Sequence, residues 1–292
     1  MTAPAPLSIT ANQAVDALSR AAALNREDAL RDGSLLRLPD YGQVVMTGDL
    51  HGHRANFAKL LRYAALDRTP QRHVILHELI HEEVRPGQTD QSWQLLIEAA
   101  QLKCEFPEQV HFLQSNHELA QIVGQHISKG GRDVIEEYNT AVLYAFGPAP
   151  GRTVLDAMTD FIDSYPLAVR TPNRVWISHS LPNEWDRAAF DPAIVSRREF
   201  TRADRTDGGS VYQLVWGRNH PMALLDALGK AWDVDFFLIG HQPQEMGFEV
   251  MHDRLIILSS EHNHGAFLPF DLSKQMTLDA LTRNIRKFVE VA

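Results

Sequence analysis

The sequence predicts a layered α/β fold in which two β-sheets lie together and helices pack outside them. Three observations carry this expectation. Short apolar runs suited to buried strands alternate with helical patterns through the first half of the chain. The later part reads mostly as strands. The 292 residues, 44% hydrophobic and 22% charged, are enough to bury a large core without disulfides, which the single Cys104 excludes within the chain.

Taken in order, Thr10 is placed to cap a helix from Ala11 to about Asn25, with Val15, Leu18 and Ala22 at helical spacing. Val44, Val45 and Met46 form a strand over Gln43–Thr47, ending against Gly48. Phe57, Leu60, Leu61 and Ala64 share one face of a helix from about Arg54 to Ala65. A strand at His73–Leu76 precedes a helix from about Gln91 to Lys103, and Phe106-Pro107 separates that helix from a strand at Val110–Gln114. Helical patterns cover about Val134 to Tyr165, with a loop expected around Pro148 and Pro150. Strands follow at Ala168–Thr171, Val175–Ser178, Phe236–Ile239, Leu255–Leu258 and Ala266–Phe270, with a helix of about Pro221–Trp232 among them. No repeat or linker-like stretch divides the chain, so residues 1–40 read as an N-terminal helical extension and 41–292 as one domain.

Composition narrows the function. The net charge is −9, and no dense Lys/Arg block stands out, which disfavours a long nucleic acid or a membrane surface as partner. No apolar run approaches bilayer length, and the start of the chain lacks the pattern of a secretory signal. With one cysteine, a cytoplasmic location is expected.

The 14 histidines are informative because of where they fall. Asp49 and His51 follow the strand at 43–47. His77, Glu78 and His81 follow the next, and Asn116, His117 and Glu118 the third. His179 follows Val175–Ser178, and His241 follows Phe236–Ile239. Ligands bind at the carboxyl ends of strands in α/β sheets, where loops gather side chains from distant parts of the sequence. Singly, each residue reads as a turn former, a strand-end charge or a structural histidine; together they have metal-ligand chemistry at successive strand ends.

The segments Gly48-Asp49-Leu50-His51-Gly52-His53, Ser115-Asn116-His117-Glu118, Ile177-Ser178-His179-Ser180 and Leu238-Ile239-Gly240-His241, in this order, resemble the calcineurin-like metallophosphoesterase superfamily. More narrowly, the chain resembles its phosphoprotein phosphatase branch, which includes Ser/Thr phosphatases and bacterial dinucleoside tetraphosphatases. The likeness runs from about Gln43 to Leu272. It implies a four-layer α/β fold, a two-sheet β-sandwich flanked by helices, with two divalent metal ions (Mn²⁺, Fe or Zn²⁺) as cofactors. Carried over residue by residue, Asp49 and His51 hold the first ion, Asn116, His179 and His241 the second, and Glu78 bridges them. His117 becomes the general acid, with Glu118 as its orienting neighbour. Gln242 and Pro243, after His241, fit this branch rather than the nuclease or purple-acid-phosphatase layouts.

The second motif departs from the family, which writes Gly-Asp-x-x-Asp-Arg-Gly where this chain writes His77-Glu78-Leu79-Ile80-His81-Glu82-Glu83. A glycine has become His77, the aspartate supporting the catalytic histidine has become His81, and the phosphate-binding arginine has become Glu82. Arg218, Arg54 and Arg85 are the candidates to restore phosphate binding, Arg218 foremost. His77, His81, Glu82 and His262 are expected beside the ligands or at the substrate's edge. The implied activity is hydrolysis of a phosphate monoester, on a protein or a small molecule, by attack of a metal-bridging hydroxide. A nucleotide or dinucleoside polyphosphate hydrolase is the alternative enzyme, and a catalytically degenerate protein that binds metal or a phospho-ligand is the alternative class.

Overall fold

Apolar strand residues in this chain alternate between two buried environments, and that alternation builds the architecture. A computed structural model describes residues 5–84 and 87–291. The first helix, α1 (Ala11–Arg26), opens with a capping box between Thr10 and Gln13. Two short strands follow, β1 (Arg31–Asp32) and β2 (Leu35–Arg37). Then come β3 (Gln43–Thr47), α2 (Arg54–Ala64), β4 (Arg72–His77), α3 (Ser92–Glu105) and β5 (Val110–Leu113). Helix α4 (Asn116–Val123) leads to a hairpin of β6 (Ser128–Lys129) and β7 (Arg132–Asp133), and then to α5 (Val134–Phe146) and α6 (Pro148–Asp163). The remainder comprises β8 (Ala168–Arg170), β9 (Val175–Ser178), α7 (Arg202–Arg205), α8 (Ser210–Trp216), α9 (Met222–Trp232) and β10 (Phe236–Ile239). It closes with β11 (Phe248–Met251), β12 (Leu255–Leu258), β13 (Ala266–Asp271), α10 (Leu278–Asn284) and β14 (Arg286–Lys287).

Among the described residues the strands form a five-stranded sheet, ordered β14-β13-β3-β4-β5, and a seven-stranded sheet, ordered β1-β2-β8-β9-β10-β12-β11. Val44, Met46 and Ile75 of the first sheet pack with Ile177, Leu238 and Ile256 of the second. Their sequence neighbours point outward. Val45, Val74 and Phe112 meet residues of α1, α2, α3, α5 and α6, while Trp176, Phe237 and Ile257 meet α8 and α9. The result is the expected four layers, helices–sheet–sheet–helices.

The connections decide where chemistry can occur. Strands β3, β4 and β5 are mutually parallel, and so are β9, β10 and β12, so each sheet gathers its carboxyl ends on one edge. A single bridge between Asp49 and Ser259 joins those edges. Gly48 makes this approach possible, because a Cβ there would collide with the Leu258 backbone.

Some details differ from the sequence expectations. The break near the prolines is only Gly147, at φ 86°, and Pro148 starts α6 at a position where a missing N–H costs nothing. Strand β11 was not expected, since it lies at a sheet edge with an exposed middle and no apolar run to mark it. Within residues 1–40, α1 joins the helical layer through Ala14, Leu18, Ala21 and Ala22, and β2 pairs in parallel with β8. No helix among the described residues is long and apolar enough to cross a membrane.

Candidate metal centre

The two loops that open the site are tied together by their backbones. The amides of Leu50 and His51 both donate to Glu78 O, at 3.0 and 2.8 Å, and Gly52 N donates to Leu79 O at 2.8 Å. These turns require unusual conformations. His51, Glu78, His81 and His241 all have positive φ, at 40°, 49°, 63° and 67°. Each such non-glycine residue costs about 1–3 kcal/mol, a strain that surrounding contacts must hold in place.

Two groups of ligand atoms result. In one, Asn116 Oδ1 lies 2.7 Å from His179 Nε2 and 2.9 Å from His241 Nδ1, the two nitrogens are 3.1 Å apart, and Glu78 Oε1 is 3.6 Å from His179 Nε2. In the other, Glu78 Oε2 lies 3.4 Å from His51 Nε2; Asp49 Oδ1 accepts from His241 N at 2.9 Å and lies 3.6 Å from His179 Nδ1, so that Asp49 clusters with His77 and His179. His51 Nδ1 faces Ile80 O at 2.9 Å and must donate to it, so His51 Nε2 keeps its lone pair. Glu78 thus offers one carboxylate oxygen to each group, and its buried Oε1 has no hydrogen-bond donor among the described residues. Burial, and then their mutual proximity, raises the carboxyl pKa of Glu78, and burial chiefly raises that of Asp49. Burial lowers His51 to about 3 and also depresses His179 and His241, so the imidazoles are neutral. Neutral imidazole lone pairs, a carboxamide oxygen and two carboxylates crowded together, one of them with an oxygen that no donor satisfies, suit divalent cations.

His117 closes the group. Its ring lies edge-on to His51, with centroids 4.7 Å apart, and one of its nitrogens lies within 4.8 Å of ligand atoms on His51 and Glu78. The side chain that touches its Nδ1 is His81, at 2.9 Å. Glu118 instead accepts from Leu79 N at 2.7 Å and from the Ser115 hydroxyl, binding the start of α4 to the 78–80 turn. The cavity over these residues has a volume of about 740 Å³, and its walls include Arg218, Lys129, Glu82, Glu261 and His262.

No protein-family model and no curated protein matches the sequence. Among solved structures, the chain is similar to a protein serine/threonine phosphatase from Saccharomyces cerevisiae, at 14% identity over 89% of this chain and 82% of that one, with a TM-score of 0.67. It is also similar to a cold-active protein-tyrosine phosphatase of a psychrophilic Shewanella, at 15% identity over 90% and 84%, with a TM-score of 0.58. The chain has the phosphoprotein phosphatase fold.

On this phosphoprotein phosphatase fold, the altered segment 77–83 places its unusual side chains close to the site. Glu82 bends aside so that its carboxylate accepts from Gln91 N, and burial raises its pKa. His262 Nε2 faces Gln244 O at 2.9 Å. The three arginine candidates part company. Arg218 lines the cavity, from a loop whose amides at 218 and 219 donate to Asn183 Oδ1 at 2.8 and 3.1 Å. Arg54 pairs with both carboxylate oxygens of Glu98 and donates to Ala5 O, so its guanidinium is committed elsewhere. Arg85 lies outside the described residues. Sequence reasoning missed Lys129, whose charge helps to depress His51 and His117. Lys129 sits in the two-residue strand β6, too short for any apolar pattern to mark it or the way its side chain faces.

Proposed function

We propose that the protein is a metal-dependent phosphatase that hydrolyses phosphate monoesters, with a phosphorylated protein or small molecule as substrate. The observation that carries this reading is the convergence on His179 Nε2 of Asn116 Oδ1, His241 Nδ1 and Glu78 Oε1, at 2.7–3.6 Å, beside His51 and Asp49 and under an open cavity. In this reading Asp49, His51 and Glu78 would hold one divalent ion, and Glu78, Asn116, His179 and His241 would hold the other. Mn²⁺, Fe and Zn²⁺ all accept this mixture of oxygen and imidazole ligands. Two such ions supply Lewis acidity toward phosphoryl oxygens and lower the pKa of a water molecule.

The chain's own residues do the rest. Arg218 and Lys129 bind and orient the phosphoryl group from the cavity walls. In its imidazolium form, with Nδ1–H engaged by His81, His117 presents Nε2–H to the leaving oxygen. Glu118 keeps His117 and Asn116 in register with the Glu78 turn.

The test loads purified protein with Mn²⁺ and offers p-nitrophenyl phosphate, a phosphopeptide and a dinucleoside tetraphosphate. Turnover of the first two supports the reading. Turnover of the third alone assigns the site to polyphosphate hydrolysis. Two bound ions with no turnover of any of them would make the protein a non-catalytic binder.

A further inference from the structure

His77 occupies a position where the resembling family writes glycine, and the structure gives that ring a defined task. The side chain is fully buried. Its Nε2 lies 2.7 Å from the carbonyl oxygen of Thr47, the last residue of β3. A carbonyl only accepts, so Nε2 carries the hydrogen. The ring has no carboxylate partner among the described residues, so in this buried position it stays neutral and Nδ1 keeps its lone pair. That lone pair faces His179 Nδ1 at 3.2 Å, and the rings meet edge-on with centroids 5.3 Å apart. If His179 carried its hydrogen on Nε2, two nitrogen lone pairs would confront each other there. With the hydrogen on His179 Nδ1 the contact is a hydrogen bond, while Asp49 Oδ1, at 3.6 Å from that nitrogen, lies too far to accept in its place; His179 Nε2 is left bare among Asn116 Oδ1, His241 Nδ1 and Glu78 Oε1. Gly240 makes room for the arrangement, because a Cβ there would collide with His77 Cε1 and Asp49 Oδ1.

We propose that His77 is a positioning residue for the Asn116–His179–His241 cation: it imposes the Nδ1–H tautomer on His179 so that Nε2 is always available as a ligand. The inference rests on the two-metal reading above. It makes the lost glycine a gain of control, since the hydrogen bond behind a metal-binding imidazole sets its tautomer and orientation and typically changes metal affinity about 10–100-fold.

The experiment measures Zn²⁺ binding to the full-length protein by competition with a chelating dye, together with long-range ¹H–¹⁵N spectra of the histidine rings. The His179 signals are assigned by their loss in His179→Gln. Expected in the parent protein are two Zn²⁺ steps, a hydrogen on His179 Nδ1 and a hydrogen on His77 Nε2. In His77→Leu, one Zn²⁺ step weakens about 10–100-fold and the other is retained. In His77→Asn, whose amide oxygen still accepts from His179, the weakened step recovers most of its affinity. An Nε2–H tautomer at His179 in the parent overturns the proposal even if neither variant folds. So do two unchanged Zn²⁺ steps in a folded His77→Leu protein. A parent protein that binds fewer than two Zn²⁺ ions overturns the two-metal reading itself, and this inference with it.

Discussion

The Nδ1 atoms of His81 and His117 lie 2.9 Å apart, deep in the wall of the cavity. His81 Nε2 faces Gln121 Oε1 at 3.2 Å, and the Gln121 amide is oriented by its own bond to Asn139 Oδ1 at 2.8 Å. His81 therefore donates through Nε2 and accepts from His117 Nδ1–H. A neutral imidazole thus aims His117 where the resembling family uses a carboxylate, and it aims the ring without adding negative charge.

That exchange predicts how the protein ranks its substrates. Burial, followed by the neighbouring His51 and His81, holds His117 well below the ordinary histidine range. A departing nitrophenolate needs little protonation, whereas a departing alkoxide needs it badly. In His81→Asp the carboxylate stabilises a protonated His117. We expect kcat/KM for an alkyl phosphate to rise about tenfold or more relative to p-nitrophenyl phosphate, part of the ~10²–10⁴-fold that a positioned acid supplies. An equal change for both substrates would remove leaving-group protonation from the role of His117.

The cationic wall can be tested separately. Arg218→Ala and Lys129→Ala should each raise KM for a phosphate monoester about tenfold or more while metal content stays at the parent level, because neither residue is a ligand in this reading. Metal analysis alongside steady-state kinetics checks both statements. A drop in metal content in either variant would mean that the side chain supports the ligands rather than the substrate.

Gly240→Ala tests how tightly the two sheets close over the site. The added methyl would collide with Asp49 Oδ1 and His77 Cε1, so both must shift. Overpacking of this kind typically costs about 1–3 kcal/mol, to be read from a denaturant melt of the metal-free protein. A melt indistinguishable from the parent's would show that the strand ends are looser than they stand here.

A second histidine pair, remote from the candidate metal site, contributes to acid stability. His73 Nδ1 lies 3.0 Å from His111 Nε2, and His111 Nδ1 reaches Asp28 Oδ2 at 3.2 Å. Burial lowers His73 to about 4, with the neighbouring His111 adding to the effect. In the unfolded chain a histidine takes its proton near pH 6.5. Between about pH 6.5 and 4 the unfolded state therefore binds more protons, and this contribution to stability falls as the pH falls. Replacing His73 with Gln should flatten the decline in melting temperature across that window. An unchanged slope would exclude His73 as its source.

Most of the architecture was legible because apolar alternation and strand length are local properties: Val44, Val45 and Met46 declare a strand buried on both faces by themselves. The strand-end grammar of Asp49, His51, Asn116, His179 and His241 was legible for the same reason. What escaped depends on contacts distant in sequence. Arg54 reads as a free cation until Glu98, on another helix, claims it. His77 and His81 stood out as departures, yet only the positions of Thr47 O and Gln121 Oε1 fix which ring nitrogen carries the hydrogen. Glu118 sits beside His117 in sequence, but helix geometry turns it toward Leu79.

The pairing of Leu35–Arg37 with Ala168–Arg170 has a practical consequence. A variant trimmed at its start to the loops of the candidate site would bare one side of β8, leaving open amides and carbonyls ready to recruit another molecule's strand. It would also uncover the helical layer where Leu18 and Ala21 now sit. Trimming should therefore yield aggregation rather than a minimal catalyst.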